Sequence, residues 1–113
     1  MLKKKLGLNA IEMGWTVRRL PSYYKIPSTL IIPDGCVEIG NFAFSSCERL
    51  RKVIIPENIK NIGIGAFWLC EELKKVIIPK SVKEIKDRTF QSCRNLREVI
   101  IPESVEEIGY GAF

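Results

Sequence analysis

The residues best suited to chemistry are the four cysteines, three of which, Cys47, Cys70 and Cys93, recur at intervals of 23 residues. A thiolate can serve as nucleophile, zinc ligand or disulfide partner. None of these roles has its usual company here. The chain contains no histidine, which removes the commonest general base and the Ser-His and Cys-His nucleophile pairs. Only cysteines and carboxylates remain to hold a metal, and zinc sites favour Cys-x-x-Cys pairs over so wide a spacing. If successive repeats stack, the three cysteines lie with Cα atoms about 5 Å apart, within disulfide range; parallel Cβ vectors would still hold the Cβ atoms beyond the preferred ~3.8 Å. The expectation is reduced thiols acting as small buried hydrophobes. Gly63-Ile64-Gly65 lacks the third glycine and the strand-to-helix context of a phosphate loop. Glu71-Glu72 and Glu106-Glu107 read as solvated charges. No catalytic residue, cofactor site, cofactor or metal ligand is assigned, and an enzyme is not expected.

The spacing of those cysteines belongs to a larger pattern. Val53-Ile54-Ile55-Pro56 recurs as Val76-Ile77-Ile78-Pro79 and Val99-Ile100-Ile101-Pro102, with Leu30-Ile31-Ile32-Pro33 as a near copy. A fixed period in the twenties marks a solenoid, in which units too small for a core of their own bury one continuous column by stacking. Counted from each proline, the apolar columns are Cys36, Ile59, Val82 and Val105; Ile39, Ile62, Ile85 and Ile108; and Phe44, Phe67, Phe90 and Phe113. Leu50, Leu73 and Leu96 form another. Val53 and Ile55 alternate with Lys52, Ile54 and Pro56, the period of a half-buried strand. Proline removes a ladder donor and ends that strand. Ile59 and Ile62 then return to the core through a short second extended piece. Phe67, Cys70 and Leu73 fall three apart, which suits one or two inward-facing helical turns over residues 66–73.

Together these columns read Leu-x-x-Val-x-Ile-Pro-x-x-Val-x-x-Ile-Gly-x-x-Ala-Phe-x-x-Cys. The pattern resembles the BspA-like, or Treponema pallidum-type, leucine-rich repeat, and it covers residues 30 to 113. The expected fold is an α/β solenoid, a short right-handed leucine-rich-repeat superhelix with 23-residue repeats, a parallel strand face and short helical turns. Its units are 30–52, 53–75, 76–98 and the half unit 99–113, preceded by a degenerate basic cap or tail at 1–29. The resemblance implies a non-catalytic protein-interaction module, a bacterial or protozoan source, and display on the cell surface with binding to host or matrix proteins.

Charge divides the chain in the same place. Net charge is +5, and residues 1–29 carry all of it: Lys3, Lys4, Lys5, Arg18, Arg19 and Lys25 against Glu12. From residue 30 onward twelve basic and twelve acidic residues cancel, so nucleic-acid binding along the repeats is not expected. No apolar run approaches the ~18 residues of a membrane helix. Asn9 and Glu12 interrupt any secretion-signal core after Lys3 to Lys5. The chain as given therefore points to the cytoplasm, while the resemblance points to the surface. Around Gly14, residues 11–13 and 15–20 suit a small hairpin cap, with a partly ordered tail as the alternative. In the third unit Lys86-Asp87-Arg88-Thr89 replaces Gly-x-Gly-Ala, so Gly63 is not expected to fill a glycine-only position; the patch reads as a solvated bend. Phe113 falls halfway through the fourth unit, so either the protein continues or this end meets a partner.

The surface with most to offer is the concave strand face. Alternation turns Ile31, Ile54, Ile77 and Ile100 outward, one per repeat, about 4.8 Å apart. Thr29, Lys52, Lys75 and Glu98 flank them on one side and the four prolines on the other; Arg51, Lys74 and Arg97 rim the face. A contiguous exposed apolar stripe marks an interaction site, although β-branched residues in that place also serve strand packing. The candidate protein-binding residues are Ile31, Lys52, Ile54, Lys75, Ile77, Glu98 and Ile100. Two other readings are self-association through the open C-terminal end, giving a homo-oligomer, and attachment to nucleic acid or an anionic membrane through the basic N-terminus.

Overall fold

Three-residue strands of β-branched residues, each closed by proline, set the geometry of the first side of the coil. A computed structural model describes residues 15–17 (backbone) and 26–113. Within them the strands are β1 (Trp15–Val17), β2 (Thr29–Ile31), β3 (Cys36–Ile39), β4 (Lys52–Ile54), β5 (Asn61–Ile62), β6 (Lys75–Ile77), β7 (Glu84–Ile85), β8 (Glu98–Ile100) and β9 (Glu107–Ile108). The first member of each repeat joins one parallel sheet in the order β2-β4-β6-β8. Its register advances by one whole repeat per strand: Thr29 faces Lys52, Lys52 faces Lys75, and Lys75 faces Glu98. The described chain is thus a parallel β-solenoid.

The prolines do two jobs. Each lacks the N–H needed to continue the ladder. Each also accepts a hydrogen bond at its carbonyl from the residue three further on: Cys36, Ile59, Val82 and Val105 donate to Pro33, Pro56, Pro79 and Pro102 at 3.1–3.2 Å. That tight turn returns Cys36, Ile59 and Val82 to the core, where all three are buried.

The second short strands build the next side, and here the sheet splits. β1, β3 and β5 form one sheet and β7 with β9 another, while β5 and β7 are not bonded neighbours. Glycine explains the join and its absence. Gly63 N–H donates to Ile39 O and Gly109 N–H to Ile85 O, both at 2.7 Å. A Cβ on Gly63 would lie 2.5 Å from the backbone of Gly40 and Asn41, and one on Gly109 would lie 2.6 Å from Asp87 N. At the corresponding place in the third unit, Lys86 carries that Cβ, and no ladder joins β5 to β7 there, although Gly65 N–H still donates to Asp87 O at 3.0 Å just beyond. Gly63 is therefore held to glycine by close approach, which corrects the expectation from its column.

Residues 66–73 do not form helical turns, and no helix occurs among the described residues. Each unit instead runs through consecutive turns that take the left-handed conformation twice. One column holds Phe42, Gly65, Arg88 and Gly111 (φ 56–62°), and another Ser46, Leu69 and Ser92 (φ 58–63°). A helix would spend its N–H groups on its own carbonyls four residues back. Here alternate donors leave the turn: Phe44, Phe67 and Phe90 donate to Ala66, Thr89 and Ala112 of the next unit at 2.8–2.9 Å. The donors between them close three-residue turns, as Trp68 does onto Gly65 at 3.0 Å and Leu73 onto Cys70 at 3.1 Å. Such turns also bring every third side chain inward, so Phe67, Cys70 and Leu73 are buried as expected by a different route.

The substituted stretch 86–89 is a turn with Asp87 and Arg88 exposed, as a solvated bend requires, but its last residue turns inward. Thr89 occupies the alanine column, is fully buried, and donates its hydroxyl to Lys86 O at 2.7 Å. Asp87 Oδ1 accepts from Tyr110 N–H at 2.8 Å, as Asn41 Oδ1 accepts from Ile64 N–H at 2.9 Å. Of the N-terminal segment, β1 pairs in parallel with β3, facing Cys36, Glu38 and Ile39 with one irregularity. These three residues therefore extend the coil; the other arm of the expected hairpin, residues 11–13, lies outside the described residues. Residues 1–14 and 18–25 of the cap, and with them Lys3 to Lys5, Arg18, Arg19 and Lys25, lie outside the described residues, whereas Ile26 is buried in the core.

Along the interior the phenylalanine rings stack face to face. Centroids are 5.6 Å apart for Phe44–Phe67 and Phe67–Phe90, and 5.5 Å for Phe90–Phe113. Outside them Trp68, half-buried, meets Phe42 edge to face at 6.3 Å, so it fills space between neighbouring units. Because Phe67 touches a ring on each side, Phe67→Ala should cost about 3–5 kcal/mol. The exposed Ile54→Ala should change stability by no more than about 0.5 kcal/mol. Urea unfolding followed by circular dichroism would test this, and equal losses in the two variants would refute the assignment of core and surface.

Candidate functional site

The face of β2, β4, β6 and β8 that turns away from the core is built by simple alternation. Leu30, Val53 and Val76 point inward and are buried, and Val99 packs against the core. Their neighbours must then point out. Ile31, Ile54, Ile77 and Ile100 do so, with 62%, 43%, 49% and 46% of their surface accessible. The in-register pairing puts Ile31 beside Ile54 and Ile77 beside Ile100, one continuous apolar ridge across four strands.

Lys52, Lys75 and Glu98 stand at the strand starts in a second row on this face. Lys75 Nζ lies 3.5 Å from Glu98 Oε1. Both groups are largely solvated, so the pair contributes at most about 1 kcal/mol. Lys52 is exposed. Arg51, Lys74 and Arg97 precede the strands, are exposed, and are tied in line by backbone bonds from Lys74 N–H to Arg51 O and from Arg97 N–H to Lys74 O. All seven candidate residues are thus brought onto one surface. Between the second and third units it sinks into a hollow of about 190 Å³ lined by Lys52, Ile54, Glu57, Lys75, Ile77 and Pro79. Glu57 was not anticipated. It follows the proline of its unit, and the only sequence signal for it is that the corresponding positions hold Asp34, Lys80 and Glu103, all polar. The prolines flanking the ridge are less open than alternation alone suggests: Pro56 and Pro79 are buried.

The cysteine column packs against the core, with Cys70 buried and Cys47 and Cys93 partly so. Cys47, Cys70 and Cys93 are free thiols. Cys70 Sγ donates to Phe44 O and Cys93 Sγ to Phe67 O, each at 3.1 Å, so the column adds a sulfur ladder to the backbone ones. The Cys70 thiol hydrogen-bonds Cys47 and holds it below the usual thiol range, against the opposing effect of burial. Cys70 itself is pushed far up, by that same bond to Cys47 and then by burial. Burial pushes Cys93 up to about 11, partly offset by a backbone hydrogen bond. Among the described residues no group of three or more histidine, cysteine or acidic side chains could hold a metal ion. No helix among them is long and apolar enough to cross a membrane.

A stack of in-register 23-residue turns with an exposed strand face defines a repeat scaffold of the leucine-rich-repeat class. Residues 22–113 match the family model for the BspA type leucine rich repeat region in six copies, and the chain belongs to that family. The match begins eight residues before the first full Leu-x-x-Pro copy at Leu30. Similar solved structures include two of bacterial leucine rich proteins. The leucine rich repeat protein of T. pallidum shares 41% identity over 73% of this chain and 38% of its own, with a TM-score of 0.69. A leucine rich cell surface protein of Faecalibacterium prausnitzii shares 32% identity over 88% of this chain and 26% of its own, with a TM-score of 0.81. The chain therefore spans well under half the length of either. No curated protein matches it.

Because the thiolate is the reacting form, iodoacetamide at mildly alkaline pH should modify Cys47 first, Cys93 more slowly, and Cys70 only on unfolding. Peptide mapping by mass spectrometry would show the order. Modification of Cys70 in the folded protein as fast as Cys47 would contradict the assigned ladder.

Proposed function

We propose that this chain is a non-catalytic protein-interaction module that engages its partner through the outward face of the β2-β4-β6-β8 sheet. The observation that carries the reading is the four-rung isoleucine ridge. A soluble repeat unit needs its inward residues for cohesion, and it has no such need for large apolar side chains on the opposite face. Contiguous exposed apolar surface of this kind marks contact sites, and solenoids generally use their extended sheet surfaces in this way. The proposed contact residues are Ile31, Lys52, Ile54, Lys75, Ile77, Glu98 and Ile100. The coil is taken as right-handed, the sense of nearly all parallel strand crossovers.

The cell-surface description of the F. prausnitzii relative supports a surface location, and we extend this to an adhesive role toward host or matrix proteins. The test is capture from cell and matrix extracts with the wild type beside an Ile54→Glu/Ile77→Glu variant, after circular dichroism has matched their folds. A protein held by the wild type, lost by the variant, and bound at least about tenfold more weakly by the variant once purified is the expected result. Identical capture by both chains would remove the ridge from the interaction.

A further inference from the structure

The ridge has a chemistry and a pitch, and together they specify what lies on it. We infer that the occupant is an amphipathic α-helix with an acidic flank, lying along the solenoid axis across all four strands. This rests on the interaction-face reading above and goes further by naming the partner's form.

The first argument is hydrogen bonding. In β2-β4-β6-β8 the backbone donors and acceptors point along the stack and are consumed between neighbouring turns. An extended segment laid across the face would find no free backbone group and would leave its own unsatisfied, which is costly at a dry interface. A helix satisfies its backbone internally and presents only side chains. The prolines at the strand ends add no donor of their own.

The second argument is spacing. Adjacent rungs from Ile31 to Ile100 repeat at about 4.8 Å, so three steps span about 14 Å. Three turns of helix rise about 16 Å, which keeps one apolar side chain near each groove between rungs. Three same-face steps of an extended strand cover about 20 Å and lose register within two rungs. The hollow beside Lys52, Ile54, Lys75 and Ile77 is where the central apolar residue of such a helix would seat.

The third argument is charge. The edge where the strands begin carries Arg51, Lys52, Lys74, Lys75 and Arg97 against the single acid Glu98. All are exposed except Lys75, which is half-buried against that acid. The opposite edge, just past the prolines, carries Asp34, Glu57 and Glu103 with Lys80, all exposed. The ridge therefore runs between a basic border and a mainly acidic one. A helix with glutamate or aspartate along one side of its apolar stripe matches the basic border and docks in a single rotational setting.

Random 16-residue peptides displayed on phage, selected on the 113-residue chain and counter-selected on its folded Ile54→Glu/Ile77→Glu variant, would test the inference. The expected binders carry apolar residues at i, i+3 or i+4 and i+7 with acids along one flank. As synthetic peptides they should gain helical circular dichroism on binding, weaken with salt, and bind Lys52→Glu about tenfold more weakly. A consensus with apolar residues at every second position, or one without acids, would overturn the helical acidic partner and leave the ridge as an interaction face. Failure to recover any peptide that distinguishes wild type from variant would overturn both.

Discussion

Every unit of this molecule depends on lying in phase with its neighbours, column over column. A 23-residue unit offers two short strands and a chain of turns, none of which is stable alone. In phase, it gains the four-stranded sheet β2-β4-β6-β8, a second and partly broken sheet, and a ladder of turn amides that do the work of a third side. The stacked rings of Phe44, Phe67, Phe90 and Phe113 report that phase most directly, because flat rings hold a centroid spacing near 5.6 Å only if the backbones beneath them repeat faithfully. The polar parts obey the same rule. Asn41 and Asp87 each cap the amide of the residue one unit on, and the cysteine thiols reach back to carbonyls of the preceding unit. Cohesion here lies between units rather than within them.

Much of this was legible in the residues, because a repeat displays each structural requirement several times. The alternation around Val53 and Val76 gave the inward and outward faces, and proline gave the strand ends. The turn region was read less well. Spacing of three between Phe67, Cys70 and Leu73 belongs equally to a helix and to linked three-residue turns. What separates them is where the intervening amides donate, which depends on the neighbouring unit and not on local sequence. Leu69 carries no sequence sign that it adopts positive φ, since its column holds no glycine, whereas Arg88 shares a column with Gly65 and Gly111. The column rule also misled at Gly63. Lys86 in the same column suggested tolerance, whereas the structure shows that the second sheet breaks where the lysine stands. A single sequence offers no view of that cost.

The candidate face was more legible than its surroundings. The seven residues came from strand alternation alone, and they share one surface because register carries each residue onto its counterpart. Glu57 escaped because it lies beyond a proline, where alternation stops being a guide, and only the curvature of the turn brings it to the hollow. The cysteines show the converse: the residues most suggestive of chemistry in the sequence are ladder elements packed against the core.

In-phase stacking also fixes how such a chain can change in length. Removing or adding 23 residues joins like to like, with every column continuing and the ridge simply losing or gaining a rung. Any other number shifts the strands against their neighbours; an odd slip would turn isoleucine inward and valine outward at each strand. The molecule is in this sense a ruler marked in whole units, on which the extent of the isoleucine ridge is counted rather than continuously adjusted.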